Sequence, residues 1–225
     1  MTLVAEFVAQ QAEGQLENQH RDHERDRDPG QLRRDMIIDR ALELFTAQGY
    51  AATTIDEIAV AAGTTRTTFY AHYPSRADLM SDFMARVNAV LDRADGPDRT
   101  TTAAGLVDVV RGGELEGILA WLESRAALWP VFRPYLDVLD EAAAVDPEVR
   151  ALVRGWHEEV ISDIVRGMQL AGRFSQETHH IRGTLAFTQL DYVATLWTRR
   201  KLEPNRDHAL EVLADSWYHL LCDEG

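Results

Sequence analysis

Apolar residues recur at helical spacing from about Gln31 onward. The first run predicts an amphipathic helix that ends at Gly49, because glycine commonly stands just past the last turn. The buried face of this helix is predicted to consist of Ile37, Ile38, Ala41, Leu42, Leu44 and Phe45.

Three further helices are predicted before residue 95. A short helix is predicted over 55–62 with Thr54 as its N-cap. Thr54 and Glu57, three residues later, have the spacing of a capping box. A second short helix is expected at about 65–72. Pro74 stops it, and a long helix follows over 76–94.

The remainder of the chain also has a helical pattern, and no run alternates in the manner of a strand. Turn residues such as Gly112-Gly113, Trp129-Pro130 and Asp146-Pro147 separate the segments. The helical segments are expected near 103–111, 114–128, 131–143, 147–172, 177–200 and 206–222. The predicted fold class is therefore all-α.

The first 30 residues differ from the rest of the chain. They hold three arginines against seven acidic residues, and the stretch 19–28 has no apolar residue. Such a segment cannot bury a face, so 1–30 is expected to be a disordered or solvated extension that ends at Pro29-Gly30. An arm that touches DNA or a partner is the alternative. The domains expected behind it are 31–75 and 76–225.

The charge and the cysteine count exclude several classes of protein. The 225 residues include 37 acidic and 23 basic side chains, for a net charge of -14, and a single cysteine. A histone-like polycation and a disulfide scaffold are therefore excluded, and any binding of nucleic acid requires a local patch. No run is apolar enough for a membrane helix or a signal peptide, so a cytoplasmic protein is expected.

Residues 54–73 have the layout of a helix-turn-helix. Two short helices flank a glycine turn, and small alanines let them approach closely. The second helix would enter the major groove and present Thr65, Arg66, Thr67, Tyr70 and His72 outward. Residues 63–76 contain no acid, which is unusual in this chain and favours DNA binding over an ordinary helical hairpin.

Residues 33–80 resemble the DNA-binding domain of the TetR family of transcriptional regulators. The similar run comprises the first helix ending AQGY, then TTIDEIAVAAG, then TTRTTFYAHYPSRADL. The resemblance implies an N-terminal three-helix DNA-binding domain followed by a helical domain that binds a ligand and dimerises. It also implies a regulator, most simply a repressor, that binds a palindromic operator and is released by a small molecule.

The resemblance also implies a DNA-binding role for each matching residue. Thr54, Tyr70, His72 and Arg76 match phosphate-contacting positions, with arginine where the family usually has lysine at 76. The positions that reach base edges are Arg66, Thr67 and Thr68, with Thr65 at the start of the helix, while Arg33 and Arg34 suit contact with the DNA backbone. Family members often carry glycine at the position of Thr67, so the operator cannot be inferred from relatives.

The same resemblance implies a homodimer formed by the last two helices. Both helices carry broad apolar stripes, although an intramolecular core would explain such stripes equally well. The stripes consist of Leu185, Phe187, Leu190, Val193, Leu196 and Trp197 in one helix and Leu210, Leu213, Trp217, Leu220 and Leu221 in the other.

All five tryptophans lie beyond residue 120, where the family implies a pocket for a lipophilic or aromatic effector. Plain core packing is the alternative for each aromatic residue. The candidates for lining the pocket are Trp121, Arg125, Trp129, Phe132, Trp156, His157, Gln189 and Tyr192. A ligand there is expected to shift the helix over 76–94 and so separate the two recognition helices.

Two alternatives remain at this stage. An activator or sensor of the same fold has the same sequence features as a repressor. An all-α enzyme would need a site, and Glu177, His179 and His180 are the only hint of one. Adjacent histidines point about 100° apart on a helix, so a solvated helix start is the simpler interpretation. No catalytic residue, cofactor or metal is expected.

Overall fold

The computed structural model of the protein describes residues 28–91, 105–199, 201–202 and 206–222. The regular structure in these residues is entirely helical, which confirms the predicted all-α class. The helices are α1 (Pro29–Gln48), α2 (Ile55–Ala61), α3 (Arg66–His72), α4 (Arg76–Val90), α5 (Leu106–Gly112), α6 (Leu115–Ala126), α7 (Trp129–Val145), α8 (Pro147–Ala171), α9 (Gln176–Thr198) and α10 (Arg206–Leu221). The extension expected before residue 28 and the end of the predicted fourth helix lie outside the described residues.

Two prolines that were expected to break the chain instead begin helices. Pro29 opens α1, and Pro130 is the second residue of α7. The expectation was wrong because the first turn of a helix has no internal partner for its N–H groups. A proline costs nothing there and already has the φ angle of a helix.

The N-terminal unit (α1–α3) buries one aromatic core together with α4. Phe45, Phe69, Tyr73 and Phe83 are all almost fully buried. Local caps fix the ends of its short helices, since Thr54 with Glu57 and Ser75 with Asp78 both form the reciprocal bonds of a capping box. Because α2 and α3 are too short to be stable alone, they depend on packing against α4 in addition to these caps.

Polar bonds also attach α4 to α1. Asp82 accepts hydrogen bonds from Arg34, at 3.0 and 3.2 Å, and from the hydroxyl of Tyr73, at 2.8 Å. One turn further along, Arg86 pairs with Asp35. Burial, followed by the neighbouring Asp82, raises the pKa of Tyr73, so its hydroxyl stays a proton donor.

The C-terminal bundle (α5–α10) is built around α8, which packs against α5, α7 and α9. α10 closes the bundle by packing on α6 and α9. Trp217 of α10 is fully buried and its indole N–H donates to the carbonyl of Ala186 in α9. Among the described residues, no helix combines the length and the apolar character needed to cross a membrane.

The predicted apolar stripes are mostly intramolecular. Phe187 and four residues of the α10 stripe are buried inside the bundle: Leu210, Leu213, Trp217 and Leu221. The apolar residues left exposed on the outer side are Ile181, Leu185, Tyr192 and Val212. The alternative of a plain core therefore accounts for most of both stripes. Of the predicted stripe residues, Leu185 is exposed, and Ile181, Tyr192 and Val212 on the same outer side were not predicted.

The contact between α8 and α5 requires glycine at position 167. A Cβ atom added there would lie 2.6 Å from Cβ of Val110 and 2.9 Å from the carbonyl oxygen of Val107. Gly155, in the same helix, has no atom within 4 Å of the corresponding position. The two helices therefore approach at a distance that any side chain at 167 would prevent.

We expect Gly167→Ala to lower the free energy of unfolding by about 1–3 kcal/mol, because α5 must move away or strain. Gly155→Ala is the matched control and should be neutral or stabilising by up to about 1 kcal/mol, since alanine favours a helix. Urea denaturation of both variants measures the difference. Equal effects of the two substitutions would contradict the close approach of α5 and α8.

Candidate nucleic-acid interface and ligand cavity

A tight turn joins α2 to α3 in the arrangement of a helix-turn-helix. Gly63 has a φ of +62°, a left-handed conformation that suits glycine. The N–H of Thr64 donates to the carbonyl of Ala59 at 2.9 Å, which closes the turn. Burial of Ile58, Ala59 and Phe69 then fixes the angle at which α3 leaves the N-terminal unit.

The outer face of α3 carries the residues proposed to touch DNA. Thr65, Arg66, Thr67 and Tyr70 are exposed, while Thr68 and His72 are half-buried at its edges. The hydroxyl of Thr65 accepts from the N–H of Thr68 and caps the helix. The exposed part of α3 therefore offers hydroxyl groups and one guanidinium, which are the groups that hydrogen-bond to bases and phosphates.

Thr54, at the start of α2, is also exposed but already has partners. Its hydroxyl lies 2.8 Å from Oε2 of Glu57, and its N–H donates to the same carboxylate at 2.7 Å. These bonds lower the pKa of Glu57. Thr54 thus holds the first turn of α2 in place, whatever it contacts outside the protein.

Arg66 forms an ion pair that the sequence did not indicate. Its Nη1 lies 3.1 Å from Asp56 of α2, and its guanidinium lies 5.6 Å from the ring centre of Tyr70. Although residues 63–76 contain no acid, the fold thus brings a carboxylate onto the same surface. The nearby charge of Asp56 raises the pKa of Arg66, which remains a cation.

The other basic candidates occupy different environments. Arg33 is half-buried on α1. Arg34 bonds to Asp82, and its guanidinium lies 4.9 Å from the ring centre of Tyr73. Arg76 donates to the carbonyl of Tyr50 at 2.6 Å. Arg34 and Arg76 therefore stabilise the joint between the N-terminal unit and α4 in this conformation.

Tyr50 connects this joint to the C-terminal bundle. Its N–H donates to Glu141 of α7 at 2.9 Å, and its hydroxyl donates to Asp146 at 3.4 Å. The guanidinium of Arg76 stacks over its ring at 3.9 Å from the centre. One residue in the α1–α2 turn thus contacts both α4 and α7, so the orientation of the N-terminal unit depends on the bundle.

An aromatic cavity lies inside the bundle below the end of α4. Five of the eight predicted lining residues meet there: Trp121, Arg125, Trp129, Phe132 and Trp156. Leu91, which follows α4, and Leu106, which begins α5, also line it. The cavity has a volume of only about 60 Å³, so a drug-sized molecule would have to push its walls apart.

The other three predicted lining residues lie elsewhere. His157 lies behind the cavity wall, where its ring is tilted against that of Phe187 with the ring centres 4.9 Å apart, and burial lowers the pKa of its imidazole. Gln189 and Tyr192 line an open groove between α9 and α10, where Gln189 accepts a hydrogen bond from Ser216. The prediction failed for these three residues because helical periodicity shows that a face is buried but not which neighbouring helix covers it.

Arg133 and Asp191 line the cavity but were absent from the prediction. Arg133 has 5% of its side chain exposed and pairs with Asp137 at 2.9 Å, Asp140 at 3.5 Å and Asp191 at 2.5 Å. An arginine on the apolar side of a helix, with aspartates four and seven residues later, is the sequence signal for this cluster.

The adjacent histidines do not form a site. His179 is buried and its Nε2 lies 2.8 Å from the carbonyl oxygen of Arg173, whereas His180 is exposed. The expectation of a solvated helix start was thus wrong for His179, because the chain before α9 folds back over it. Within the described ranges, no cluster of His, Cys, Asp and Glu is arranged to hold a metal ion.

Comparisons with known proteins agree with this geometry. A family model described as "Bacterial regulatory proteins, tetR family" matches residues 37–82. The HTH-type transcriptional regulator TcmR of Streptomyces glaucescens is 35% identical over 94 residues, which are 38% of this chain and 42% of TcmR. AcrR of Shigella flexneri is 47% identical over 49 residues, or 22% of this chain and 23% of AcrR.

A solved structure is similar over most of the fold. NalD of Pseudomonas aeruginosa, described as the secondary repressor of the MexAB-OprM multidrug efflux pump, superposes with a TM-score of 0.63. The match covers 88% of this chain and all of the NalD chain, at 19% identity.

Residues 37–82 thus match the TetR family of bacterial regulators, and this match includes the helix-turn-helix. The chain spans less than half of the length of these curated relatives. The likeness to NalD extends to the bundle but at an identity that concerns the fold alone. Both curated relatives are HTH-type transcriptional regulators.

The position at which the TetR family usually has lysine allows a direct test of Arg76. We expect Arg76→Ala to lower the free energy of unfolding by about 1–3 kcal/mol, because the carbonyl and ring of Tyr50 lose their partner. Arg40→Ala removes an exposed guanidinium paired with Glu43 and should cost under about 1 kcal/mol. Thermal and urea denaturation provide the comparison, and an effect of Arg76→Ala no larger than that of Arg40→Ala would contradict this role.

Proposed function

We propose that this protein is a repressor that binds a palindromic DNA operator as a homodimer and releases it when a small lipophilic or aromatic molecule binds in the bundle. The observation that carries the proposal is the outer face of α3, which exposes hydroxyl groups and Arg66 on a chain of net charge -14. A regulator that binds DNA acts where the DNA is, which supports the cytoplasm as its location.

The geometry of α3 supports a division of roles among its residues. Arg66 and Thr67 are exposed near its first turn, and this end of a recognition helix enters the major groove. Arg66 would then exchange Asp56 for the O6 and N7 atoms of a guanine. The remaining candidates suit base edges or phosphates around them: Thr54, Thr65, Thr68, Tyr70, His72 and Arg33.

A selection of random duplex DNA on the purified protein should enrich a palindrome, and this operator serves to test Arg66. We expect Arg66→Ala to weaken operator binding by about 1–3 kcal/mol and to relax preference at one base position in each half-site. Arg111→Ala is the control, because it also removes one exposed cation, but from α5 in the bundle. Binding is measured by fluorescence anisotropy at several salt concentrations.

The control should bind almost as the parent protein does, with the same base preferences. If Arg66→Ala and Arg111→Ala had equal effects, base reading by Arg66 would be contradicted. A protein that enriched no sequence and bound DNA only at low salt would contradict the operator itself.

The exposed apolar residues of the last two helices support a dimer. Ile181, Leu185 and Tyr192 are spaced so that they share one face of α9, and Val212 is exposed on α10. The groove between these helices, lined by Tyr192, Val212 and Leu213 among others, adds to the same outer surface. A short recognition helix makes few base contacts, so a second copy on the other half-site would add the contacts that one lacks.

We expect Val212→Asp to convert the dimer into a monomer, because a carboxylate at the centre of an apolar interface is not hydrated. Val145→Asp is the matched control, since Val145 is exposed to a similar degree, 61% against 68%, but lies at the end of α7. Light scattering coupled to gel filtration gives the mass of each variant. Dissociation by both substitutions, or by neither, would contradict an interface on α9 and α10.

Two contacts support transmission from the cavity to the DNA-binding part. Leu91 links the cavity wall directly to the end of α4. Trp156, another wall residue, donates its indole N–H to Asn88 of α4 at 3.0 Å. A molecule that enlarged the cavity would therefore displace α4 and, through it, change the spacing of the two α3 helices. Ligand and operator would weaken each other reciprocally, typically by about 1–3 kcal/mol.

The repressive role is supported by the description of NalD as a repressor. An activator of the same fold differs only in where its operator lies relative to the promoter. A reporter gene placed behind the selected operator distinguishes the two, since expression should rise when the protein is removed from cells. A fall in expression would identify an activator.

A further inference from the structure

We propose that the aromatic cavity takes an aromatic anion, such as an aryl carboxylate, and that Arg125 is its counter-charge. This inference rests on the proposed ligand cavity and specifies the chemical class of the ligand. It depends on two properties of the cavity: the aromatic groups in its walls and the unequal pairing of its two arginines.

The walls are suited to a flat ring. Three tryptophans and two phenylalanines surround the space: Trp121, Trp129, Trp156, Phe132 and Phe187. Two of these rings are held by tryptophans outside the cavity, since Trp121 stacks on Trp217 and Trp129 contacts Trp197 edge to face. Offset and edge-to-face packing on such rings favours an aromatic guest over an aliphatic guest of equal size.

The two arginines at the cavity, Arg133 and Arg125, differ in whether their guanidinium groups have acidic partners. Arg133 is surrounded by Asp137, Asp140 and Asp191, which satisfy its guanidinium. Arg125 forms no ion pair with any described carboxylate, and its Nε lies 3.3 Å from the Ser124 hydroxyl. Its Nη1 is buried and has no hydrogen-bond acceptor among the described residues.

A buried cationic N–H group without an acceptor is costly, and a ligand that supplies an oxygen removes that cost. A carboxylate is the best match because it accepts a charge-assisted hydrogen bond from a guanidinium. A cationic ligand would bind less well, because Arg125 would repel it and the carboxylate of Asp191 is already paired with Arg133. The neighbouring His157 adds no second charge near neutral pH, because burial lowers its pKa.

Three probes of one shape separate the possible charges: 2-naphthoate, 2-naphthamide and 2-naphthylmethylamine. Binding to the full chain is followed by tryptophan fluorescence and by calorimetry. We expect naphthoate to bind about tenfold or more tightly than the neutral amide, and the amine to bind more weakly than either.

Arg125→Met keeps an unbranched side chain similar to the aliphatic part of arginine and removes the guanidinium charge. We expect it to reduce the affinity for naphthoate about tenfold, to the level of the amide, while the affinity for the amide is unchanged. Arg154→Met is the control, because it removes an exposed arginine of α8. Arg125→Lys keeps the charge and should retain most of the preference for the anion.

Thermal denaturation shows whether the variants are folded. Since Arg125 has an unsatisfied buried nitrogen, Arg125→Met should raise the Tm of the ligand-free protein by roughly 2–4 °C. A structural role for Arg125 would instead lower the Tm. If Arg125→Met failed to fold, the comparison of Arg125→Lys with the parent protein would still test the preference for an anion.

The proposal is overturned if the amide or the amine binds as tightly as naphthoate, or if Arg125→Met leaves naphthoate binding unchanged. It is also overturned if no naphthyl probe binds to a protein that still binds its operator, an outcome that leaves the proposed DNA binding intact. Conversely, tight binding of naphthoate by a protein that selects no operator would support the cavity and contradict the proposed regulator.

Discussion

The burial of α4 between the two parts of the protein is the constraint on which the rest of the structure depends. Phe83 shows this most directly, because its ring packs against Phe45 of α1 and Tyr135 of α7. The ring centres are 5.9 Å and 5.3 Å apart, respectively. The same helix buries Leu79, Met84 and Val87. The N-terminal unit therefore has no complete core without α4, and a movement of α4 necessarily moves the surface that carries Arg66.

Arginines reinforce this arrangement at the edges of α4. Arg34 and Arg86 make ion pairs across the α1–α4 contact, and Arg76 connects the start of α4 to the turn at Tyr50. The guanidinium group suits these positions because it bonds to carboxylates and carbonyls and also stacks on rings. Arg34 and Arg76, to which the family resemblance assigns contacts with the DNA backbone, thus also orient the N-terminal unit, whereas Arg66 lies on the exposed face of α3.

The bundle distributes its charges by a similar principle. Arg133 tolerates deep burial because three aspartates surround it, and Asp191 brings α9 into the same cluster as α7. Arg125, across the cavity, lacks this compensation at Nη1. A buried N–H group without an acceptor lowers stability, and this is the observation behind the proposed preference for an aromatic anion. The cavity is also small, so a molecule that filled it would have to move walls that include Leu91 at the end of α4.

The sequence by itself determined the helical class, most helix boundaries and the helix-turn-helix. These features depend on residues only three or four positions apart, such as Thr54 with Glu57 and the apolar period of α1, so no knowledge of distant contacts is needed. Only the tertiary structure decided which charges meet, because Asp56 reaches Arg66 and Asp82 reaches Arg34 only once the helices are packed. It also decided that Leu213 and Trp217 face inward while Tyr192 and Val212 face outward. A helical period shows that one face is buried, but the position of the neighbouring helices determines what buries it.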